Sequence, residues 1–357
     1  MLGERKRAHA RPSCPVDSLV KAAIESRTLL APDEGSGNFM RLLKYLGIVL
    51  VVLAVAAAAV CYGIYRRNDQ EVLTLDGPAR QTREVLAYGG SYVQLRAGVT
   101  HFELVGPADA QTVVLVHGFS VPYYIWDPTF SALTAAGFRV LRYDLFGRGW
   151  SGRPNARYDP EFFDQQLLQL LDALGIRGPV DIAGVSMGGP IAVNFAVRHS
   201  ERVRRVALFD PAYGPAFTLP WRLRTPLVGK YEMCVKIAPT LAAGQREDFV
   251  HPERYPDYFA KYLPQMRYRG FRHALLSSLR DFISQDSTRS FQQLGASGKP
   301  VLLIWGRADQ DVPFSISDDV RKAVPQSEFH PIDDAAHVPF YEHPEIVNPI
   351  LIDFLHH

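Results

Sequence analysis

Three residue types that together make an activated nucleophile stand far apart in this 357-residue chain. Ser186 lies in Gly184-Val185-Ser186-Met187-Gly188, between the apolar run 180–185 and an apolar-periodic stretch that follows. A Gly-x-Ser-x-Gly pattern joining a buried strand to a helix bends the backbone sharply at the serine, and the flanking glycines leave room for the bend. The hydroxyl is then exposed beside a helix N-terminus. A neutral serine is a poor nucleophile, so it needs an imidazole to take its proton and a carboxylate to orient that imidazole and stabilise its cation. Asp309 follows the apolar run 301–305 in Gly306-Arg307-Ala308-Asp309, and His337 lies in Asp334-Ala335-Ala336-His337-Val338-Pro339. The order Ser, Asp, His, each at the end of a separate strand, predicts acyl transfer through a covalent intermediate. Asp210, which ends the run 203–209, and Asp311 are rival acids; the Gly-x-x-Asp turn puts Asp309 directly at its strand end.

The charge that develops on a carbonyl oxygen needs donors. His117-Gly118-Phe119 ends the apolar run 112–116, which aims the Phe119 amide at the pocket; with the Met187 amide it forms an expected oxyanion hole, about 3–4 kcal/mol per donor. His117 itself is expected to pack under this loop, hydrogen-bonded to it. In Asp144-Leu145-Phe146-Gly147-Arg148-Gly149-Trp150 the acid is expected to cap the turn, with Phe146 and Trp150 as candidate substrate contacts.

Positioning these residues requires alternating strands and helices. Short alternating runs at 91–95 and 101–105 around Ala97-Gly98 predict an antiparallel hairpin at a sheet edge. Near-continuous apolar runs at 112–116, 138–143, 180–185, 203–209, 301–305 and 328–331 predict parallel strands covered on both faces. Helices are expected near 123–136, 160–174, 187–198, 315–323 and 343–356. About 90 residues separate the strand ending at Phe209 from the one starting at Val301, too many for a loop. Helical periodicity at 255–263 and 270–282 makes 215–297 an expected helical cap over the carboxyl edge of the sheet, where ligands of open α/β sheets bind.

Residues 1–44 are expected to be a disordered segment, although Met40 followed by Arg41-Leu42-Leu43-Lys44 is a plausible true start. Residues 45–65 carry no charge and are flanked by Arg41, Lys44, Arg66 and Arg67. As a helix they would span roughly 31 Å, the thickness of a bilayer core. The apolar character continues beyond the alanines at 54–59, which favours an uncleaved membrane anchor over a signal peptide. Eight Lys/Arg before the span lean towards a cytoplasmic N-terminus, placing the bulk outside the cytoplasm. A linker at 66–84 leads to a core at 85–214 and 298–357. The formal charge of +2 gives no argument for nucleic acid, and no zinc-type Cys/His spacing or phosphate loop occurs among Cys14, Cys61, Cys234 and the rest.

His-Gly-Phe, Asp-x-x-Gly-x-Gly-x-Ser, Gly-x-Ser-Met-Gly-Gly, Gly-x-x-Asp-x-x-Val-Pro and the late His-Val-Pro match, in order, the motifs of the α/β-hydrolase superfamily. Over about residues 85–357 the chain resembles its capped serine hydrolases: carboxylesterases, monoacylglycerol lipases and meta-cleavage-product hydrolases. The resemblance implies an α/β-hydrolase fold, a mostly parallel eight-stranded sheet with helices on both faces and an inserted cap, here preceded by one transmembrane helix. It implies cofactor- and metal-free hydrolysis of a small-molecule ester, lipophilic in character, with lipids as candidate substrates where the anchor holds the enzyme close to a bilayer. Epoxide hydrolases and dehalogenases carry Asp where this chain has Ser186, and iminopeptidase-like relatives usually carry Trp where it has Met187. Arg267, Arg269 and Arg272 cluster in the expected cap. Arg269 or Arg272 binding a substrate carboxylate would suit the alternative reading, C–C hydrolysis of dienoic keto-acids; a non-catalytic hydrolase-fold binder or receptor is the alternative of another class.

Overall fold

The structure, a computed structural model, describes residues 34–357 apart from 87 and 215–217. It divides into two units, Met1–Gly63 and Ile64–His357. The described part of the first unit is helical and belongs to α1 (Glu34–Asn68). Within α1, Asn38–Asn68 is long and apolar enough to cross a membrane. The helix is longer at both ends than the expected 45–65. Leu42, Leu43 and Lys44 are good helix formers and no proline interrupts them, so the helix starts within the segment expected to be disordered. Residues 1–33 of that segment lie outside the described residues.

The second unit is built on one eight-stranded sheet in the order β1-β2-β4-β3-β5-β6-β7-β8. β1 (Ser91–Gln94) and β2 (Val99–Val105) form the expected edge hairpin, and β2 runs antiparallel to β4. β3 (Thr112–Val116), β4 (Arg139–Tyr143), β5 (Val180–Val185), β6 (Val203–Phe209), β7 (Val301–Gly306) and β8 (Ser327–Ile332) are mutually parallel. Successive strand residues point to opposite faces, so each face needs its own cover. Val114, Val116, Ile182, Leu208 and Leu303 join one buried cluster with α3 (Pro160–Ala173), α4 (Gly188–Arg198), α5 (Thr288–Ala296) and α6 (Ser317–Ala323). Val113, Leu115, Val185, Phe209 and Ile304 join the other with α2 (Asp127–Ala135) and α7 (Pro344–His356). The continuous apolar strands are a consequence of being covered twice.

Between β6 and β7 short helices occupy Trp221–Ser278, followed by one π turn, Leu279–Ile283. The expected cap boundary at 297 needs correcting. α5 packs on α4 and α6, and its Phe291 and Leu294 sit in the core cluster, so it belongs to the sheet's helical layer. Nothing in the composition of this long insertion marks where it rejoins the core.

Candidate active site

β5 ends at Val185 and α4 starts at Gly188, leaving two residues for the turn. Ser186 pays with a left-handed backbone, φ 55°, a conformation that a non-glycine residue keeps only when its surroundings enforce it. They do. The Ser186 amide donates to Phe209 O at 3.0 Å, and the Ser186 carbonyl accepts from Gly189 and Ala212 at 2.9 and 3.1 Å. The glycines are required by close approach: a Cβ at 184 would lie 2.2 Å from Gly188 O, and one at 188 would lie 2.3 Å from Val116 O. On the other side Gly118 leans over the serine, its imagined Cβ 3.1 Å from the Ser186 Cβ.

His337 lies in the loop after β8 and is buried. Its Nδ1 is 2.8 Å from Asp309 Oδ2, while Asp309 Oδ1 accepts the amides of Asp311 and Val312 at 2.8 and 3.0 Å. Burial alone would push the imidazole down, but the surrounding carboxylates of Asp309, Asp311 and Asp248 hold it well above its ordinary range. Asp309 is therefore the acid that faces His337, and the rival Asp311 lies outside that contact. Asp210, the other rival, is fully buried beside the pair. Atoms of Asp210, Asp309 and His337 fall within 4.8 Å of one another, spacing that a cation could bridge. His337 instead spends Nδ1 on a direct hydrogen bond to Asp309.

Ser186 and His337 line one cavity of about 260 Å³ together with Gly118, Phe119, Gln245 and Asp248. The amides of Phe119 and Met187 donate to no acceptor among the described residues, as an oxyanion site requires. His117 is a structural residue, as expected. Its Nε2 accepts the Leu145 amide at 2.9 Å, so Nδ1–H donates to Gly118 O at 2.9 Å. Burial pulls its imidazole down to about 4. Asp144 caps its turn, accepting the amides of Tyr123 and Trp150, each at 2.9 Å.

The remaining expected pocket residues lie elsewhere. Phe146 is buried against Phe162, and Trp150 packs edge-on to Tyr88 and Tyr268. Neither lines the Ser186 cavity. Arg269 donates its amide to Leu73 O at 2.8 Å, and its side chain does not reach the cavity lining. Arg272 is drawn into ion pairs with Asp69 and Glu71 of the chain that follows α1. Among the described residues no Lys or Arg lines the cavity, whereas Glu247, Asp248 and Asp311 do. Arg148 went unnoticed in the sequence. It is fully buried, and its guanidinium donates to Phe119 O at 2.8 Å, Phe146 O at 3.2 Å and Ser278 Oγ at 2.8 Å. Among the described residues it has no carboxylate partner, and burial lowers its pKa to about 10.

The family model for the alpha/beta hydrolase fold matches residues 111–344. The AB hydrolase superfamily protein YisY of Bacillus subtilis (strain 168) is 26% identical over 274 residues, covering 74% of this chain and 98% of the relative. A 2-hydroxy-6-oxononadienedioate/2-hydroxy-6-oxononatrienedioate hydrolase of Cupriavidus pinatubonensis is 28% identical over 283 residues, 74% of this chain and 94% of that protein. Among solved structures, a thermophilic esterase from Thermogutta terrifontis superposes with a TM-score of 0.63 at 25% identity, covering 74% of this chain and 98% of its own. A matched region that takes in β3 to β8, and with them Ser186, Asp309 and His337, spans more than half of the sequence: the chain belongs to the alpha/beta hydrolase fold family.

Proposed function

We propose that this chain is a membrane-anchored serine hydrolase of neutral carboxylic esters. The observation that carries the reading is the shared cavity: Ser186 and His337 face it together, with Asp309 bonded to the far side of the imidazole. Ser186 Oγ attacks the ester carbonyl while His337 Nε2 takes its proton. The tetrahedral oxyanion is held by the Phe119 and Met187 amides. His337 then protonates the departing alcohol, and water, activated by the same nitrogen, releases the acid from the acyl-enzyme. A hydrogen bond from Ser186 to His337 would form as substrate binds, since catalytic contacts commonly tighten only then.

The lining charges choose the substrate class. The Cupriavidus relative is named for dioate substrates. A dianion entering the present cavity would approach Glu247 and Asp311, with His337 the one basic side chain among the described lining residues. At an effective dielectric of about 20, like charges 4 Å apart repel by about 4 kcal/mol. That weighs against the C–C hydrolase reading. The cavity volume of about 260 Å³ lies just below the roughly 300–1,000 Å³ of small-molecule sites, which favours short acyl chains over a monoacylglycerol with a long one. α1 would keep the enzyme at a membrane, its larger unit outside the cytoplasm.

The test uses the full chain in detergent micelles, with p-nitrophenyl esters from acetate to laurate and a fluorophosphonate probe. Labelling at Ser186, its loss in Ser186→Ala, and a rate maximum at short or medium chains are expected. An unlabelled Ser186 would leave a non-catalytic binder as the better description, and faster turnover of a dienoic keto-acid than of any ester would restore the C–C reading.

A further inference from the structure

Asp210 is a buried acid that the proposed mechanism leaves unused. It follows β6 directly, fully enclosed, with its backbone in the left-handed region at φ 43°. Only glycine, asparagine and aspartate visit that region readily. One carboxyl oxygen, Oδ1, accepts the Gly306 amide at 2.8 Å, and the Asp210 amide donates to Ile304 O at 3.0 Å. These bonds tie the residue to β7, the strand that leads to Asp309. The other oxygen, Oδ2, is buried with no hydrogen-bond partner among the described residues. A buried carboxylate oxygen without a donor is costly. One oxygen of the Asp210 carboxyl lies within 4.8 Å of ligand-type atoms of Asp309 and His337.

Two carboxyls this close, sharing one imidazole, cannot both ionise cheaply; one proton remains between them. Burial first, and then the Asp309 carboxylate, hold the Asp210 carboxyl well above the usual range, against the opposing pull of His337. Asp309 is the better-solvated partner in hydrogen-bond terms, since its oxygens accept two amides and the imidazole. Asp210 is therefore the carboxyl whose neutral form burial favours.

We propose that Asp210 is a positioning residue held in reserve: a second acid that shares one negative charge with Asp309 and can orient His337 when Asp309 is removed. In that event the proton on Asp210 is released to solvent, and its carboxylate accepts the hydrogen on His337 Nδ1. Two strand ends, those of β6 and β7, thus offer an acid to the same imidazole. This role presupposes that Ser186 and His337 act as nucleophile and base, as proposed above.

The test is a double-mutant cycle in the full chain, with p-nitrophenyl butyrate as substrate. Losing the acid of a serine triad outright lowers kcat by about 10⁴-fold in a well-studied protease. Asp309→Ala is expected to fall only roughly 10- to 100-fold in kcat, and Asp309→Ala with Asp210→Asn roughly 10⁴-fold. Asp210→Asn alone should lose a few-fold, because an asparagine tolerates the backbone and still accepts the Gly306 amide. Asp309→Ser forms a second pair with the same expectation; its hydroxyl can still accept the Asp311 amide while being too short to reach His337. The pH profile separates orientation from mere packing. The single Asp309 variants should keep a plateau above neutral pH, whereas the double variants, lacking any carboxylate for Nδ1–H, should climb steadily with pH. If each double variant is no slower than its Asp309 parent, Asp210 has no such role. Activity surviving in Ser186→Ala would instead defeat the underlying serine-hydrolase reading, so the two failures are told apart.

Discussion

His337 Nδ1 and Asp309 Oδ2 are 2.8 Å apart across 28 residues of sequence, joined by the loops that leave β7 and β8 on the same edge of the sheet. The contact fixes which nitrogen of His337 is free to face Ser186.

The same surroundings set the acid side of the activity profile. A base must be unprotonated, and despite burial the carboxylates around His337 hold its pKa well above 6.5. Activity in kcat/KM should therefore be lost as pH falls through that raised value, above the ordinary imidazole range. Asp311 is exposed at the cavity and contributes to the rise. Asp311→Asn should move the acid limb to lower pH by roughly half a pH unit at low salt, and less at high salt. A limb that stays in place at low salt would show that Asp311 does not reach the imidazole.

Arg148 gives a second expectation, this time in kcat. Its three hydrogen bonds hold the carbonyl of Phe119, whose amide is the proposed oxyanion donor, against Phe146 and the cap's Ser278. Lysine keeps the charge and loses the planar fork that serves several acceptors at once. Arg148→Lys should lower kcat by about 10- to 100-fold with a smaller change in KM, because a misplaced donor is felt most in the transition state. An equal rise in KM at constant kcat would place Arg148 in ground-state binding instead.

Much of this was legible before any coordinates. β3, β5 and β6 coincide with the expected runs at 112–116, 180–185 and 203–209, because doubly covered parallel strands leave little room for polar residues. The placement of Ser186, Asp309 and His337 in turns and loops that follow β5, β7 and β8 was legible for a related reason: the strand runs mark where those loops begin. The pocket walls were not. Phe146 and Trp150 are apolar residues in the glycine-rich loop after β4, and composition cannot say that they turn into the core. Arg272 looked like a free cation in a basic cluster, while its partners Asp69 and Glu71 lie some 200 residues earlier. Arg148 sits in a glycine-rich loop where a solvated arginine is the ordinary expectation; only its burial reveals it.

Arg272 also makes a clear structural prediction. It pairs with Asp69 and with Glu71, whose carboxylate further accepts the amides of Gly270 and Arg272 at 3.2 and 2.6 Å. Leu73 adds a bridge to Tyr268 in the same stretch. The chain after α1 is thereby clamped to the cap. Arg272→Ala leaves two partly buried carboxylates without their cation, which costs about 3–5 kcal/mol when burial is complete and less here. Proteolysis of the native protein should become faster between residues 69 and 75, and Arg272→Lys should recover only part of the protection. Unchanged cleavage in Arg272→Ala would mean that the Leu73 bridge alone holds the segment.

His117 ties the stability of the fold to pH. Its imidazole is enclosed, accepts the Leu145 amide at Nε2 and is held down to about 4 from the ordinary 6.5. In the unfolded chain it protonates near 6.5, so between roughly pH 6.5 and 4 the unfolded state binds more protons and the native state loses ground as the pH falls. The contribution is fully present above 6.5. At about 1.36 kcal/mol per pH unit the loss amounts to about 3 kcal/mol by pH 4. Asp210 acts in the opposite sense, since a raised carboxyl holds its proton in the folded state while the unfolded chain releases it. The wild-type slope mixes the two, and a His117→Asn variant separates them. Urea unfolding of both proteins from pH 4 to 8 should give a stability difference that grows from pH 4 to about 6.5 in favour of the wild type and then levels off. A difference that stays constant across the whole range would mean that His117 takes up its proton without disturbing the loop beneath Ser186.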